Sequence, residues 1–516
     1  MLITFTNKAA KEILYKADAH LANNISGGTF HKISYKLMKN HGKILQICDE
    51  SKKRLIIKKL FDCKKDKEKY EKIYKIISKS KSVYPIKCSE YVNEYQAELI
   101  KYNMIDFDDI INNGIDFIKQ YKPNFQLTHT LVDELQDTSE NQLKFLIELQ
   151  KLTNCKMIGV ADIFQSIYEW RNAKPENIDE FVNTFNCKIY GLGVNFRSDI
   201  DIVNKSTNLI KHSTRKLNKN LRANSINKGI VKTIRAWNIF NEIDKIIDIY
   251  RRTNKNITIL YRDRTNKMQL EYGLRKAGIN YKVSDSNDIV ERSSFKVLLS
   301  VLKISAGVYD IYDLEEACKG LKRLGMATIN KVREKLDNND IDQVIFEMMN
   351  QKGTKNLTII NSLRAKYKIH EKNQDSMDLL IAEFTQYIIP SFEISKDIYN
   401  FLIDICKSYK VSIQDIRDIC NDFGLDNNKT ELQEDDCRLI LSTIHNFKGL
   451  ECDTIIIPFC NWSMRPDDNT KDIIEAERRV FYVGITRAKH ELYLIYSASE
   501  PRFIKELNRN NYVKRN

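Results

Sequence analysis

The sequence has little proline and no paired cysteine motif, and each absence argues against a class of structure. It contains 7 prolines in 516 residues, where average usage predicts about 26. Because proline interrupts helices, long helices are expected. The 11 cysteines are scattered and no two form a C-x-x-C pair, which argues against zinc and iron–sulfur sites.

Targeting signals and membrane-spanning runs are also missing. The first residues lack the basic region and apolar core of a signal peptide, and no stretch approaches about 18 consecutive apolar residues. We therefore expect a soluble, intracellular protein with reduced thiols and no membrane partner.

Positive charge is in excess along the chain. Lys and Arg number 83 and Asp and Glu number 69, which gives a net charge of +14. An excess of this sign favours a polyanionic partner. With 42% hydrophobic and 29% charged residues, the composition is that of a globular protein, and the length suits several domains of about 100 to 200 residues.

Short apolar runs that end in polar residues recur at both ends of the sequence, and helical stretches such as 141–151 and 267–277 lie between them. This alternation predicts an α/β fold with parallel sheets. The runs are 2–5, 130–133, 156–160, 257–261, 439–443, 454–459 and 492–496.

Two regions break the alternation and are interpreted as mainly helical insertions into two α/β cores. The insertions are 35–102, which is dense in lysine, and 293–436. The first core then comprises 1–34 and 103–192, and the second comprises 193–292 and 437–516.

One apolar strand ends in two adjacent carboxylates, Asp133 and Glu134. In this arrangement an aspartate can hold Mg²⁺ and a glutamate can orient or deprotonate a water beside a phosphate. Taken alone, the pair is more typical of a solvated loop.

The motifs around this pair occur in a recognisable order. They are TFTNKAA at 4–10, GTFH at 28–31, DELQDT at 133–138, ADIFQSIYEWR at 161–171, NFRS at 195–198, TIHNFKGLE at 443–451 and ERRVFYVGITRA at 477–488. This ordered set, which runs from residue 2 to about residue 498, closely resembles the UvrD/Rep/PcrA family of superfamily 1 DNA helicases.

The resemblance implies two RecA-like domains with ATP between them and 3′ to 5′ movement along single-stranded DNA. It implies that Asp133 coordinates Mg²⁺, Glu134 activates the attacking water and Gln165 senses the γ-phosphate. Arg197 and Arg487 are implied to act as arginine fingers, since a guanidinium neutralises charge that develops in phosphoryl transfer. The alternative for either arginine is an exposed surface charge.

Adenosine contacts are also implied by the resemblance. Phe196 stands where the family usually has an adenine-stacking tyrosine, and it keeps the aromatic ring; the alternative is a core aromatic. Glu451 is implied to accept hydrogen bonds from the ribose hydroxyls. Asn172 replaces a usual glycine, a mild departure because asparagine tolerates positive φ.

Six residues match family positions that line the path of single-stranded DNA, where aromatic faces stack on bases without reading sequence. For the aromatic pair within this set the alternative is burial in a core, and for the two histidines it is a structural role. The six residues are Phe5, Asn7, His31, Tyr168, Trp170 and His445.

Two further segments invite weaker interpretations. Residues 324–332 loosely resemble a family segment in which a helix N-terminus meets duplex phosphate, and a plain helix start is an equal alternative. The lysines of 52–72 either follow the DNA backbone or form a solvated helical face.

A phosphate-binding loop, G-x-x-x-x-G-K-S/T, is expected upstream of residue 4 and is absent; the Gly42-Lys43 pair is followed by isoleucine. Met1 is therefore interpreted as an internal methionine of a longer reading frame. The first sheet is expected to lack its phosphate-loop strand, which leaves unpaired backbone and apolar faces.

Two hypotheses follow. The first is an ATP- and Mg²⁺-dependent helicase that acts on single-stranded DNA and on single-strand/duplex junctions in the cytoplasm, the nucleoid or, if viral, the host cell. In this hypothesis the chain is N-terminally truncated or split, or a separate polypeptide supplies the phosphate loop. The second is a remnant that binds DNA or a partner without ATP turnover.

Overall fold

The structure is a computed structural model, and it describes most of the chain. The described residues are 1–5, 7–16, 25–39, 46–63, 66–123, 126–169, 172–215, 220–284, 293–307, 311–321, 334, 358–373, 379–380, 382–384, 437–463 and 470–508.

Contacts between Cα atoms divide the chain into two compact units. The first unit is Met1–Gly193, Leu217–Lys219 and Glu475–Tyr482; the second is Val194–Lys216, Asn220–Ile474 and Val483–Asn516. The chain therefore changes unit between Gly193 and Val194. The predicted boundaries of the helical insertions stay a prediction.

The first unit contains a four-stranded parallel sheet in the order β2-β1-β5-β6. A short parallel pair, β3-β4, lies outside this sheet. The strands are β1 Leu2–Thr4, β2 Gly27–Thr29, β3 Gln46–Ile47, β4 Met104–Ile105, β5 His129–Val132 and β6 Lys156–Gly159.

Helices flank this sheet and bury its apolar core. Those described in the first unit are α1 Asn7–Lys16, α2 Phe30–Lys39, α3 Glu50–Leu60, α4 Lys67–Lys81, α5 Glu90–Lys101, α6 Phe107–Tyr121, α7 Glu140–Thr153 and α8 Asn177–Thr184. Helix α6 begins at a capping box, in which Asp106 accepts a hydrogen bond from the Asp109 N–H at 3.0 Å and Asp109 accepts one from the Asp106 N–H at 3.3 Å. Its apolar face packs with α2, α7 and β5 in one cluster. Helices α3 to α5 have a separate apolar cluster of their own.

The second unit contains a six-stranded parallel sheet in the order β11-β12-β10-β13-β14-β9. The described strands are β7 Val194–Asn195, β8 Arg222–Ala223, β9 Ile230–Ala236, β10 Ile257–Tyr261, β11 Lys282–Val283, β12 Leu439–Thr443, β13 Cys452–Ile457 and β14 Ala488–Ser497; β7 and β8 pair separately. All five residues of the central strand β10 are buried.

The described helices of the second unit are α9 Ile200–Ile210, α10 Ile239–Arg252, α11 Arg264–Lys276, α12 Ser293–Ser305, α13 Ile311–Gly320, α14 Thr358–Asn373 and α16 Arg502–Asn508. Helix α15, Lys471–Ile485, carries residues that cluster with each unit. No helix among the described residues combines the length and hydropathy needed to cross a membrane.

The predicted α/β fold with two parallel sheets is confirmed. Each predicted apolar run coincides with a strand of one of the two large sheets, and the helices predicted at 141–151 and 267–277 are α7 and α11. The apolar runs were enough to predict these strands, because a strand that is buried on both faces has a nearly continuous apolar sequence.

Candidate functional site

The carboxylate pair lies where β5 ends. The Asp133 N–H donates to the Ile3 carbonyl of β1 at 2.9 Å, which fixes the end of the strand. Glu134 then adopts a left-handed conformation with φ of 52° and starts a short 3₁₀ turn, Leu135–Asp137. The Leu135 N–H donates to the Val160 carbonyl, also at 2.9 Å. Both acidic side chains are therefore held at the carboxyl edge of the sheet, where ligands bind in parallel α/β sheets.

A buried glutamine joins this turn to the loop after β6. The side-chain amide of Gln136, which is fully buried, donates from Nε2 to the Glu134 carboxylate. Its Oε1 accepts a hydrogen bond from the Asp162 N–H at 3.0 Å. Asp162 in turn accepts from Gln165 Nε2 at 3.0 Å. The predicted site residues Glu134 and Gln165 thus belong to one hydrogen-bonded network.

Gln136 and Asp162 received no role from the sequence. Both residues lie inside the quoted motifs, shortly after apolar strands. That position was the one signal in the sequence that could have pointed to a role at the site. The sequence did not reveal that these two residues meet, Gln136 from the turn after β5 and Asp162 from the loop after β6. Their part in the network is to orient Glu134 and Gln165.

The acidic edge suits a hard cation held by few protein ligands. No group of three or more His, Cys, Asp or Glu side chains that could together hold a metal occurs in the described part of the chain. Mg²⁺ usually takes one or two carboxylates together with waters and substrate phosphates. Asp133 at the end of β5, beside the Glu134 network, fits that mode of binding.

Two residues predicted to bind DNA form a stacked pair in the same unit. The rings of Phe5 and Tyr168 lie 4.9 Å apart between centroids with an interplanar angle of 18°. Both side chains are partly exposed, so the alternative of a fully buried pair is wrong for Tyr168. Trp170 lies outside the described residues, as does the side chain of Asn7.

His31 lies on the first turn of α2 with its ring edge-on to Phe107, 5.9 Å between centroids. Burial lowers the pKa of His31 below its usual value, and the nearby Asp108 opposes that shift. The neutral imidazole is therefore favoured, which suits stacking or hydrogen bonding more than charge pairing with phosphate.

The loop that carries Tyr168 is contacted by an arginine for which the sequence suggested no role. Arg479 on α15 donates from Nε to the Ser166 carbonyl at 2.9 Å and forms an ion pair with Glu169. Both contacts lie within the first unit. They anchor the segment on both sides of Tyr168, through the Ser166 backbone before it and the Glu169 side chain after it.

A second polar network lies within the second unit. Arg197 Nε donates to Glu451 at 2.7 Å, and Lys489 pairs with the other Glu451 oxygen at 3.0 Å. The hydrogen bond from Arg197 is the main reason that the pKa of Glu451 lies below its usual value; Lys489 adds to the effect and partial burial opposes it. Two of the predicted nucleotide-binding residues are thus in direct contact, and Lys489 is a third member that the sequence did not suggest.

The loop bearing Arg197 is held against the start of β14. Asn195 Oδ1 accepts hydrogen bonds from the Arg197 and Ser198 N–H groups at 2.9 and 2.8 Å. Ser198 Oγ donates to the Ala488 carbonyl at 2.6 Å, and the Asp199 N–H donates to the Lys489 carbonyl at 2.9 Å. An asparagine that closes a turn in this way is typical of rigid loops.

Arg487 is enclosed by backbone carbonyls. Its side chain is 1% exposed, and the guanidinium donates to the carbonyls of Val483 at 3.0 Å and Leu450 at 3.4 Å and to Thr486 Oγ1 at 3.1 Å. The alternative of an exposed surface charge is therefore wrong. In this conformation Arg487 caps the end of α15, as a cation near a helix C-terminus does.

Phe196 is 80% exposed, so the alternative of a core aromatic is wrong. His445 is partly buried, just after β12. Asn172 has φ of 63°, which explains how asparagine replaces glycine there. The segment 324–332 lies outside the described residues.

The two parallel sheets, the carboxylates at the end of β5 and the arginine–carboxylate network of the second unit are typical of α/β enzymes that bind nucleotides. The family model for the UvrD/REP helicase N-terminal domain matches residues 1–186, and the model for the UvrD-like helicase C-terminal domain matches residues 190–499. The chain therefore belongs to the UvrD/Rep helicase family, an enzyme family, and the resemblance read from the motifs is confirmed.

Similar curated proteins agree with this family. The chain is 27% identical to the ATP-dependent DNA helicase Rep of Buchnera aphidicola subsp. Schizaphis graminum, over 98% of this chain and 87% of that protein. It is 25% identical to the ATP-dependent DNA helicase PcrA of Leuconostoc citreum, over 98% and 78%. It is 26% identical to DNA helicase II of Haemophilus influenzae, over 98% and 78%.

Proposed function

We propose that this chain is an ATP-driven DNA helicase that moves 3′ to 5′ on single-stranded DNA and unwinds duplex at single-strand/duplex junctions. The observation that carries the proposal is the network in which Gln136 joins Glu134 to Asp162 and Gln165. In the same unit lies the stacked pair of Phe5 and Tyr168. Groups suited to phosphate chemistry and to base stacking therefore share one compact unit.

In the first unit, Asp133 is the proposed ligand of Mg²⁺, which neutralises phosphate charge when bound. Glu134 accepts a proton from, or orients, the attacking water, and Gln136 fixes its carboxylate. Gln165, held by Asp162, is placed to contact the γ-phosphate. These roles agree with the chemistry of the side chains and with their common position at one sheet edge.

In the second unit, Phe196 offers an exposed ring for adenine and Glu451 offers a carboxylate for the ribose hydroxyls. Arg197, which pairs with Glu451, supplies positive charge for the phosphates. The proposed finger role of Arg487 requires its guanidinium to leave the Val483 and Leu450 carbonyls. We infer that nucleotide binding is accompanied by this change of rotamer.

Single-stranded DNA is proposed to stack on the Phe5–Tyr168 pair. Bases have π faces of similar character, so stacking gives affinity with little dependence on sequence. Asn7, His31, Trp170 and His445 are the further proposed DNA contacts.

ATP turnover needs a phosphate-binding loop, and these 516 residues contain no G-x-x-x-x-G-K-S/T motif. The backbone N–H groups and the lysine of such a loop supply the positive field that holds the β- and γ-phosphates. Asp133 and Glu134 cannot replace that field, because two carboxylates repel a triphosphate. We infer that turnover needs a phosphate-binding loop from outside these 516 residues.

The same missing motif favours a second candidate function, a protein that binds DNA or a partner without hydrolysing ATP. The two candidates differ in one measurable quantity. ATP hydrolysis stimulated by single-stranded DNA, measured on a chain extended upstream of Met1 to include a phosphate-binding loop, supports the helicase if it disappears in Glu134→Gln. DNA binding without turnover under the same conditions supports the second candidate.

A further inference from the structure

The segment that carries Tyr168 packs onto the middle of helix α15. Phe164 and Tyr482 are each 4% exposed, and their rings meet edge to face with 6.1 Å between centroids and an angle of 65°. Arg479 lies three residues before Tyr482 on the same helix, so the two side chains share one face of α15. All four residues belong to the first unit. One face of α15 therefore meets the segment through an apolar contact and a polar contact.

The Arg479 guanidinium binds this segment at two points. Its Nε donates to the Ser166 carbonyl at 2.9 Å, and a terminal nitrogen donates to the Glu169 carboxylate. A planar guanidinium has donors in fixed directions and can hold two acceptors at once, which a lysine ammonium cannot do with the same geometry. The two contacts therefore restrict where Ser166 and Glu169 lie relative to each other, with Tyr168 between them.

Ser166 is held from a second side as well. It is 1% exposed, and its hydroxyl donates to the Gln136 carbonyl at 3.2 Å. The side chain of Gln136 is the one that joins Glu134 to Asp162. The residue before the Tyr168 turn is thus fixed by two elements, the turn after β5 and helix α15.

The end of the segment after Tyr168 is a more exposed turn. The Glu169 carbonyl accepts a hydrogen bond from the Asn172 N–H at 2.9 Å, and the Tyr168 carbonyl accepts one from the Ala173 N–H at 3.3 Å. The Glu169 side chain is 42% exposed, whereas the Arg479 side chain is 15% exposed. Arg479 therefore links an exposed turn to a buried helix face.

The stack of Tyr168 on Phe5 depends on how this turn is held. Stacked rings are favourable over a limited range of centroid distances and angles, and the observed pair lies 4.9 Å apart at 18°. A shift of the turn changes both quantities. The contacts that Arg479 makes on either side of Tyr168 oppose such a shift.

We propose that Arg479 is a positioning residue for single-stranded DNA, which holds Ser166 and Glu169 so that the Tyr168 ring stays stacked on Phe5 and open to a base. Arg479 acts through Tyr168 and contacts neither base nor phosphate itself. This inference rests on the proposed function, since it requires that Tyr168 binds DNA.

Direct binding of a DNA phosphate is the other role open to an arginine. Its Nε and a terminal nitrogen already donate to Ser166 and Glu169, and its side chain is 15% exposed. A phosphate contact would require the guanidinium to leave both acceptors. The two roles also differ in salt dependence, because each phosphate contact on a single strand adds about 0.7 to the slope of log affinity against log salt concentration.

The test is a double-mutant cycle on oligo-dT binding, measured by fluorescence anisotropy with the full 516-residue chain. Arg479→Ala should weaken binding by about 3- to 30-fold. In a Tyr168→Ala background the same change should alter affinity less than about twofold, because the ring that Arg479 positions is gone. Arg251→Ala is the charge control, since it removes an exposed arginine from the last turn of α10, and it should change affinity less than about twofold.

Glu169→Gln is a second variant at an exposed side chain, and the sign of its effect is informative. Removal of a negative charge strengthens DNA binding if charge alone matters. The positioning role predicts weaker binding, since Arg479 loses its ion pair with Glu169, and predicts that this loss also disappears in the Tyr168→Ala background.

Two further measurements separate positioning from other roles. In Arg479→Ala the slope of log affinity against log salt concentration should stay unchanged. Hydrogen exchange at the Asn172 and Ala173 N–H groups should become faster, because the turn that these bonds close is less restrained.

Three results overturn the proposal. Equal losses from Arg479→Ala with and without Tyr168 show that Arg479 acts elsewhere, a fall of about 0.7 in the salt slope shows a direct phosphate contact, and tighter binding by Glu169→Gln shows a charge effect. Unchanged affinity in Tyr168→Ala instead refutes the DNA-binding role on which the inference rests. That failure is distinguishable, because faster exchange at Ala173 in Arg479→Ala would remain.

Discussion

Phe5 and Tyr168 are expected to bind single-stranded DNA as one unit, because their rings are stacked 4.9 Å apart at 18°. Loss of a stacking face costs about 1–3 kcal/mol per base, so Tyr168→Ala should weaken binding by about 5- to 150-fold. Phe5→Ala should have a similar effect. Because each ring supports the other, the double variant should lose less binding free energy than the two single variants added together. The expected coupling energy is about 0.5–1.5 kcal/mol.

Fluorescence anisotropy on labelled oligo-dT and on a mixed oligonucleotide measures these effects. Affinity should fall by the same factor on both, since stacking does not read the base. Tyr190→Ala is the matched control, a tyrosine of the same unit that is 80% exposed and lies outside the stacked pair. It should change affinity less than about twofold.

Strict additivity of the two single variants would show that the rings act independently and would refute the shared surface. Unchanged affinity in both single variants would remove the pair from the DNA path altogether. Urea unfolding of each variant separates loss of DNA contact from loss of the fold.

Four further predictions concern single residues. Gln136→Leu removes the acceptor of the Asp162 N–H and should lower the free energy of unfolding by about 1–3 kcal/mol, measured by urea unfolding; an unchanged midpoint contradicts the network. Burial lowers the pKa of His31, so protonating this side chain costs more in the folded state than in the unfolded state. The folded state therefore loses stability as pH falls through about 6.5. His31→Asn should therefore flatten the decline in stability between about pH 7 and pH 5, and an unaltered slope argues against it. Arg197→Ala should raise the pKa of Glu451 toward its usual value, measured by carboxyl NMR titration, and should cost less than about 1 kcal/mol in stability because the pair is partly exposed; a Glu451 pKa that stays low contradicts the assigned cause. Trp170→Ala should weaken single-strand binding by about 1–3 kcal/mol with little sequence dependence, and unchanged anisotropy would exclude it from the DNA path.

The sheets were predictable from the sequence because their strands are apolar throughout and their motifs occur in order. β10 illustrates the reason, since all five of its residues are buried and all but Thr258 are apolar. The position of Asp133 and Glu134 at the edge of the sheet was predictable as well, because both residues directly follow β5.

Contacts between distant segments were not predictable. Nothing in the sequence places Gln136 between Glu134 and Asp162, or Lys489 beside Glu451, because those contacts depend on which strand ends are neighbours. Arg487 is the sharpest case. The sequence left open a finger or a surface charge and gave no sign that the side chain would be buried against the Val483 and Leu450 carbonyls.

The first sheet shows both what the sequence could predict and what it could not. Among the described residues β6 is the last strand of the first sheet, and Ile158 and Val160 are exposed. That the sheet lacks a phosphate-loop strand stays a prediction. Which strand forms that edge required the order β2-β1-β5-β6, because the sequence of β6 alone reads as a buried strand.

Steady-state phosphate release tests the central claim most directly. Purified chain of 516 residues should release no phosphate from ATP in response to single-stranded DNA, because it contains no phosphate loop. A chain extended upstream of Met1 to include a phosphate-binding loop, G-x-x-x-x-G-K-S/T, should show DNA-stimulated release that disappears in Glu134→Gln. Robust DNA-stimulated release by the chain alone, also abolished in Glu134→Gln, would contradict the account, since it would show that these residues hold the triphosphate by other groups.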